Sequence, residues 1–168
     1  MFRLGILTIS DKGSRGQRYD ASGQAIQDIL TMEDFYVVKR EVVPDEKDVI
    51  AGKLASWADQ GDVDIILTTG GTGLSERDVT PEATTSILDK VVPGFAEAMR
   101  AKTYSLTPLA MLSRAVAGIR RRCLIINLPG SPVAVQECLR VILPAIPHAV
   151  EIITGEVTEH QTPDIGKD

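Results

Sequence analysis

A glycine-rich loop between an apolar run and a helix start constrains the fold of this 168-residue chain more than any other stretch. The apolar run at residues 65–69 predicts a buried strand, and Gly70-Gly71-Thr72-Gly73 ends it. Thr80-Pro81 then predicts a helix start, with Thr80 as N-cap and proline at the first helical position. Because glycine carries no Cβ, the loop backbone can approach an oxyanion closely, and free N–H groups at a helix start favour negative charge. The stretch therefore predicts phosphate-binding geometry.

This loop lacks both standard nucleotide-binding fingerprints. Residues 70–73 are not followed by Gly-Lys-Ser/Thr, and no G-x-G-x-x-G occurs in the chain. The sequence thus supports neither a P-loop NTPase nor a dinucleotide-binding Rossmann unit. On residue types alone, such a loop is a plain tight turn about as often as a phosphate cradle. The following Asp78-Val79-Thr80-Pro81 favours the cradle.

Strand patterns alternate with helix patterns along the first half of the chain. Apolar or β-branched runs at residues 4–10, 35–43 and 63–69 each precede a segment with helical spacing. A polar loop is expected at residues 11–19, and the helix that starts at Thr80 is expected to run to Asp89. This alternation predicts an α/β fold with a parallel sheet, right-handed crossovers and helices on both faces. Ligands of such sheets bind at the carboxyl ends of the strands, so the glycine loop is expected on the binding rim.

The second half of the chain predicts a small β-hairpin and a second loop of the same design. Residues 115–119 and 123–127 indicate paired strands that turn at Arg120-Arg121. The segment 128–132 then combines a strand end, a glycine turn, Ser131 as N-cap and Pro132 at the first helical position. With no linker or internal repeat, we predict one domain over residues 1–154 and a polar, frayed tail over residues 155–168.

Composition excludes several classes of function. The net charge of −5 and the pI near 5.1 argue against binding to nucleic acid or to a membrane surface. The chain shows no signal-peptide pattern and no run of about 18 apolar residues, which predicts a cytoplasmic protein. Cys123 and Cys138 have neither C-x-x-C spacing nor a nearby histidine, so we predict two reduced thiols and no zinc site.

Two aspartates are candidates for the chemistry, and each also has a structural interpretation. Asp45 follows the second predicted strand and is a candidate helix N-cap, whereas Asp78 precedes a helix whose dipole would stabilise it. Both follow apolar strands, so both are expected on the same rim of a parallel sheet. Two carboxylates there could hold Mg²⁺ against a triphosphate.

Two further polar positions leave alternatives open. Asn127 ends its predicted strand and either fixes the Pro129-Gly130 turn or hydrogen-bonds a ligand. Ser113-Arg114 interrupts an apolar stretch and is either surface punctuation or a ligand clamp. Neither histidine is assigned a catalytic role, and no Ser-His-acid or Cys-His arrangement is indicated.

An ordered set of motifs from about residue 4 to about residue 153 resembles the MogA/MoaB family of molybdenum cofactor biosynthesis, which includes the gephyrin G domain. The set is more specific than any single glycine loop. Its motifs are Thr68-Thr69-Gly70-Gly71-Thr72-Gly73, Arg77-Asp78-Val79-Thr80-Pro81-Glu82-Ala83-Thr84, Pro93-Gly94-Phe95, Leu112-Ser113-Arg114 and Ile126-Asn127-Leu128-Pro129-Gly130-Ser131.

The resemblance implies a molybdopterin adenylyltransferase, in which the terminal phosphate of molybdopterin attacks the α-phosphate of ATP and pyrophosphate leaves, with Mg²⁺. It also implies a three-layer α/β/α sandwich, a homotrimer and transient contact with the molybdate-inserting enzyme. The two functional aspartates of the family match Asp45 and Asp78, which are the expected Mg²⁺ ligands. The matched nucleotide- and pterin-contacting positions are Ser10, Gly70, Gly71, Thr72, Gly73, Ser113, Asn127, Gly130 and Ser131.

Two other functions compete with this one. A MoaB-type protein would keep the fold and bind pterin without adenylylating it; Asp78-Val79-Thr80-Pro81 and Pro132 after Ser131 favour the MogA-type branch instead. A trimeric scaffold module is the second alternative, and the absence of a linker or second domain in this sequence argues against it.

Overall fold

The computed structural model describes residues 1–156, and its centre is a six-stranded mixed sheet. The strand order is β2-β1-β3-β6-β5-β4; the first four strands are parallel, and β5 and β4 each run antiparallel to their neighbour. The predicted, mostly parallel sheet is therefore confirmed. The strands are β1 Phe2–Ile9, β2 Phe35–Val43, β3 Ile65–Thr69, β4 Lys90–Val91, β5 Ala117–Arg120 and β6 Cys123–Leu128.

Helices cover both faces of the sheet, which confirms the three-layer sandwich. On one face, α2, α5, α6 and α7 pack on the sheet through residues such as Ile26, Met99 and Leu139. On the other face, α3 and α4 enclose a second core that includes Trp57 and Ile125. The α-helices are α1 Asp11–Ser14, α2 Ala21–Leu30, α3 Lys47–Gln60, α4 Thr80–Thr85, α5 Pro93–Thr103, α6 Pro132–Ile142 and α7 Ile146–Thr154, with 3-10 turns at Pro108–Leu112 and Leu143–Ala145.

The predicted hairpin is present, and it carries an extra edge strand. β5 and β6 pair antiparallel, and Arg121 closes their turn in the left-handed region with φ 54°. The two-residue strand β4 adds to the outer side of β5. Two residues are too few to show a period-2 pattern, so the sequence did not predict this strand.

Two local predictions differ from the structure. The polar loop predicted after β1 contains the short helix α1, capped by Ser10, whose Oγ accepts a hydrogen bond from the Gly13 N–H. The helix predicted at residues 80–89 ends at Thr85, and its N-cap is Val79 rather than Thr80. At the start of α4, the Thr80 N–H and hydroxyl bond to the carbonyls of Gly71 and Gly70, so contacts with the glycine loop replace local capping by Thr80.

A continuous helical run at the C-terminal end of the described chain is long and apolar enough, by length and composition alone, to cross a membrane. Its apolar positions Val135, Leu139, Ile142, Ile146 and Val150 are buried in the core beneath the sheet. Helices buried in a protein core commonly have this length and composition. Most of the predicted tail, residues 157–168, lies outside the described residues. The division into a domain at 1–154 and a tail stays a prediction.

Candidate functional site

A cavity of about 300 Å³ opens at the carboxyl ends of the parallel strands. Four loops border it, those that follow β1, β2, β3 and β6. Five residues predicted for the site line this cavity, which we call the polar cavity: Ser10, Asp45, Gly70, Gly71 and Gly130. The parallel topology therefore brings together residues that are far apart in sequence.

The glycine loop requires glycine for reasons visible in its backbone. Gly70 and Gly71 have φ values of 98° and 66°, a region that other residues rarely adopt. A Cβ on Gly70 would clash with the Ile9 carbonyl oxygen, and one on Gly71 would clash with Oγ1 of Thr80. A Cβ on Gly130 would lie 3.3 Å from the Cα of Gly70, so the two glycine turns pack against each other.

Backbone N–H groups on both turns are free to receive an oxyanion. Within residues 1–156, the amides of Gly71, Thr72, Gly73, Gly130 and Ser131 donate to no protein acceptor. Unpaired amides on a curved backbone form the kind of concavity that binds phosphate oxygens. The predicted phosphate-binding loop thus has the donors that it needs.

The helix after the loop contributes less than the sequence predicted. The Thr80 hydroxyl donates to the Gly70 carbonyl at 2.9 Å, and the Thr80 N–H donates to the Gly71 carbonyl at 3.1 Å. Thr80 therefore joins the loop to α4 instead of capping the helix. With its first amide already bonded, the six-residue α4 is not the phosphate-binding helix start that we expected.

Asp45 is half-buried beside the glycine loop. One carboxylate oxygen, Oδ2, accepts a hydrogen bond from the Asp11 N–H at 2.8 Å. The other, Oδ1, lies 3.3 Å from the position that a Cβ on Gly71 would take. The N-cap of α3 is Glu46, with no side-chain capping bond, so the alternative capping role of Asp45 is not found. Burial raises the pKa of Asp45, and the nearby charges of Asp11 and Asp78 raise it further.

Asp78 lies at the far end of the same loop. Its Oδ2 accepts from the Ser75 N–H at 2.9 Å and lies 2.9 Å from the Cβ position of Gly73. Asp45 Oδ1 lies beside Gly71 and Asp78 Oδ2 lies beside Gly73, so both carboxylates border the glycine loop. Asp78 itself is not among the residues that line the polar cavity.

Two arginines hold this loop, and neither was assigned to it from the sequence. The Arg77 guanidinium pairs with Asp11 and lowers the pKa of that carboxyl. Arg114, predicted as surface punctuation or a ligand clamp, instead clamps the loop backbone. Its N–H donates to the Thr72 carbonyl at 2.9 Å, its Nε to the Gly73 carbonyl at 2.8 Å and its Nη2 to the Asp78 carbonyl at 2.6 Å.

The rest of the polar cavity comes from a segment to which the sequence assigned no ligand. Arg18 and Tyr19 are exposed at its edge, beside Asp20. Asp20 accepts from the Thr8 hydroxyl at 2.9 Å and from the Gly23 N–H at the start of α2. The only available signal was that a polar, glycine-containing loop followed a strand end on the expected rim.

Ser113 and Ser131 line a second cavity, of about 310 Å³, which we call the apolar cavity. Met99, Leu109 and Pro129 contribute to its walls. Ser131 caps α6 as predicted, and the Ser113 Oγ accepts from the Ala115 N–H at 3.3 Å. The turn at residues 129–131 borders both cavities, so the predicted site residues divide between two neighbouring hollows.

Asn127 does not fix the Pro129-Gly130 turn, which was one of the two roles that the sequence left open. It is fully buried, and its Oδ1 accepts from the Val116 N–H at 3.2 Å. Its Nδ2 donates to the hydroxyls of Thr68 and Thr84, each at 3.0 Å. The side chain therefore links β6 to β3, α4 and the segment before β5, and it does not bond to the glycine turn. Its contact with a ligand stays a prediction.

The two carboxylates suit a magnesium ion that also binds a phosphorylated ligand. No group of three or more His, Cys, Asp or Glu side chains with metal-binding geometry occurs within residues 1–156. Mg²⁺ is usually bound through one or two carboxylates plus substrate phosphates and waters, rather than by an all-protein cage. The carboxylates of Asp45 and Asp78 match that donor set, and the Oδ1 of Asp45 is turned towards the glycine loop.

Comparison with known proteins identifies the family of this chain. A family described as a probable molybdopterin binding domain matches residues 5–148. The chain is 45% identical over 158 residues to a molybdopterin adenylyltransferase of Helicobacter pylori, covering 90% of this chain and 88% of that protein. It is 34% identical over 171 residues to the molybdopterin adenylyltransferase of Escherichia coli, covering 94% and 88%.

Solved structures show the same fold. The molybdopterin biosynthesis enzyme MoaB of Thermus thermophilus superposes with a TM-score of 0.87 at 54% identity, covering 92% of this chain and 98% of that one. A structure of MogA superposes with a TM-score of 0.85 at 39% identity, covering 90% and 99%.

Proposed function

This chain belongs to the molybdopterin-binding domain family of molybdenum cofactor biosynthesis, and we propose from this premise that it is a molybdopterin adenylyltransferase. In the reaction, a terminal phosphate oxygen of molybdopterin forms a bond to the α-phosphorus of ATP. The bond from that phosphorus to the bridging oxygen breaks, so that adenylylated molybdopterin and pyrophosphate result. The observation that carries the proposal is the meeting of unpaired loop amides with the Asp45 carboxylate at one cavity.

The loop amides are suited to bind phosphate oxygens. The N–H groups of Gly71, Thr72 and Gly73 lie on one turn, and those of Gly130 and Ser131 lie on the other. Transfer of a nucleotidyl group requires alignment and neutralisation of phosphate charge more than it requires a protein nucleophile. Two rigid turns that pack against each other provide such alignment without a covalent intermediate.

Asp45 and Asp78 would hold Mg²⁺ at this site. A bound magnesium ion neutralises phosphate charge and polarises the phosphoryl group that is transferred. The residues of the chain keep the two carboxylates in place through backbone hydrogen bonds from Asp11 and Ser75.

The two cavities suggest how the substrates are divided. The polar cavity offers amides and a carboxylate, which suit the ATP phosphates with their metal. The apolar cavity has walls that suit a flat pterin ring, with Ser113 and Ser131 as hydrogen-bonding groups. Since the turn at residues 129–131 borders both, substrates held in the two hollows would meet at that turn.

Assembly and location are further parts of this proposal. The connection between α5 and β5, which contains the 3-10 turn Pro108–Leu112, exposes apolar side chains that are typical of a protein interface: Leu106, Leu109, Met111 and Leu112. This exposure supports a homotrimer, in which a second copy covers the segment. A cytoplasmic location and transient contact with a molybdate-inserting enzyme remain expectations from the sequence.

A pterin-binding protein without transferase activity is the second candidate. The observation in its favour is the 54% identity to the structure named MoaB, which exceeds the identity to the MogA structure. The candidates differ in one outcome: both bind molybdopterin, whereas only the transferase releases pyrophosphate from ATP.

The test is pyrophosphate release from ATP in the presence of molybdopterin and Mg²⁺. We expect steady release by the wild type, loss of release on chelation of the metal, and a fall of roughly 100-fold or more in Asp45→Asn or Asp78→Asn. Asp28→Asn, an exposed change on α2, is the matched control and should leave the rate unchanged. Pterin binding without pyrophosphate release would identify the MoaB-type protein, and full activity of the double aspartate variant would refute the carboxylate assignment.

A further inference from the structure

Two reciprocal hydrogen bonds join Asp11 to Asp45. The Asp45 Oδ2 accepts from the Asp11 N–H at 2.8 Å, and the Asp11 Oδ1 accepts from the Asp45 N–H at 3.1 Å. Asp11 follows β1 and Asp45 follows β2, so this pair fixes two neighbouring loops against each other at the rim. With Oδ2 occupied, the free oxygen of Asp45 is the one near the glycine loop.

Arg77 extends this connection to a third loop. Its Nε donates to the Asp11 Oδ2 at 3.1 Å, and its Nη2 donates to Oδ1 at 2.9 Å, which is a bidentate ion pair. Arg77 directly precedes Asp78 on the loop after β3. A single carboxylate, that of Asp11, therefore connects the loops that carry Ser10, Asp45 and Asp78.

We propose that Arg77, acting through Asp11, is a positioning residue that holds the Asp45 carboxylate with one oxygen directed towards the glycine loop. The inference rests on the proposed adenylyl transfer, since positioning matters only if Asp45 serves that reaction. Within residues 1–156, the Arg77 side chain hydrogen-bonds to Asp11 and not to Asp45, and Arg77 is not among the residues that line the polar cavity.

Charge gives a physical reason for this arrangement. The carboxylates of Asp11 and Asp78 lie close enough to that of Asp45 for their negative charges to act on it. Like charges so placed repel, and the loops that carry them would move apart without a compensating cation. Among residues 1–156, Arg77 is the cation whose side chain forms an ion pair within this group. Its fork binds both oxygens of Asp11 and so also fixes the plane of that carboxylate.

A direct contact between Arg77 and a substrate phosphate is the competing role. The two roles predict different kinetics for two substitutions. If Arg77 contacts a substrate phosphate, Arg77→Gln would raise the KM for ATP. Asp11→Asn keeps the Arg77 cation, so its KM for ATP would stay nearly normal. Loss of positioning would lower kcat in both variants, with KM for ATP nearly unchanged.

The first arm of the experiment needs no substrate. Amide hydrogen exchange at Asp11 and Asp45 reports directly on the reciprocal bonds. We expect exchange at both amides to quicken by roughly tenfold or more in Arg77→Gln, with partial recovery in Arg77→Lys because lysine keeps the charge but not the fork. Arg140→Gln, an exposed arginine change on α6, is the control and should leave both rates unchanged. Unchanged exchange in Arg77→Gln would overturn the inference.

The second arm measures pyrophosphate release. We expect kcat to fall roughly 10- to 100-fold in Arg77→Gln and in Asp11→Asn, with the double variant no worse than the more affected single variant. A raised KM for ATP in Arg77→Gln alone would overturn the inference in favour of phosphate contact. A wild type without pyrophosphate release would refute the proposed function instead, and the exchange arm would still decide whether Arg77 orders Asp45.

Discussion

Thr80 is fully buried, and its hydroxyl donates a hydrogen bond to the carbonyl oxygen of Gly70 at 2.9 Å. This bond places the threonine side chain where a Cβ on Gly71 would lie. The helix that follows the loop is thereby fixed on the backbone of the loop, and the glycine becomes necessary for steric as well as conformational reasons.

Replacement of Gly71 by alanine should therefore be costly. The new Cβ would clash with the Thr80 Oγ1, and alanine would have to adopt a φ near 66°. We expect a loss of about 1–3 kcal/mol in the free energy of unfolding, measured by urea denaturation. Gly52→Ala is the matched control, because that helical glycine faces open space; it should be neutral or stabilise by about 0.5–1 kcal/mol. Equal stability of the two variants would contradict the steric account.

Asn127 should prove to be a residue of the core. Replacement by alanine would remove the acceptor of the Val116 N–H and the donor to the hydroxyls of Thr68 and Thr84, both of which are fully buried. We expect a loss of about 2–4 kcal/mol in stability, measured by urea denaturation.

Thr84→Val provides the comparison for Asn127, because it removes only one of those three partners. We expect this variant to lose about 1 kcal/mol. A stable Asn127→Ala protein whose affinity for ATP or molybdopterin was nevertheless lost would point back to the ligand-binding role predicted from the sequence.

Both cysteines should be unreactive in the folded protein. Burial raises the pKa of Cys123 to about 12 and that of Cys138 to about 11, so each is almost wholly protonated at neutral pH. Since the thiolate is the reactive form, iodoacetamide at pH 8 should modify neither thiol within hours under native conditions and both within minutes in concentrated urea. Rapid modification of Cys138 alone would show that the apolar cavity, which it lines, admits the reagent readily.

The ion pair between Arg3 and Asp64 lies at the amino ends of β1 and β3, opposite the binding rim. It should make a pH-dependent contribution to the free energy of unfolding. Burial raises the pKa of the Asp64 carboxyl, but hydrogen bonds from the Arg3 side chain and N–H outweigh it, and the net pKa is lowered. Because the folded-state pKa is below the unfolded value, the contribution is present above about pH 4 and is lost as pH falls through the folded pKa.

Asp64→Asn should therefore cost about 1–3 kcal/mol at pH 7, and the difference from the wild type should shrink below about pH 4. Denaturant titrations at several pH values would measure it. A difference that did not depend on pH would mean that packing, rather than the charge of Asp64, is responsible.

The exposed apolar segment offers a test of assembly. We expect the wild type to sediment as a trimer and Leu109→Asp to shift it towards monomer, because a carboxylate would have to be desolvated in the interface. Met32→Asp, which changes another exposed apolar side chain, is the control. Sedimentation of the wild type as a monomer at every concentration would exclude the homotrimer.

The sequence predicted the layers and the location of the site because both follow from local patterns. Alternation of strands with helices indicates a parallel sheet, and a parallel sheet collects its strand ends at one rim. Asp45, Asp78 and the glycine turns could thus be expected together before any coordinates existed. The spacing of apolar residues along the chain was enough for this prediction, because it can be recognised without knowing which side chains touch.

The failed predictions share a different physical origin. The Thr80 hydroxyl could have capped its own helix, but the carbonyl of Gly70, ten residues earlier, accepts its hydrogen bond. The Asn127 amide could have fixed the Pro129-Gly130 turn, but its Nδ2 donates to Thr68 and Thr84, from elements far away in sequence. Residue type shows how many hydrogen bonds a side chain can make, and only the tertiary packing decides which partners it finds.

The three backbone contacts of Arg114 join the glycine loop to the segment before β5. A loop held by the fold itself has lost its conformational entropy before the nucleotide of the proposed reaction would bind. A ligand then meets a preorganised surface, and association need not wait for the loop to close. Exchange of one nucleotide for another should accordingly be limited by diffusion and departure rather than by rearrangement of the protein.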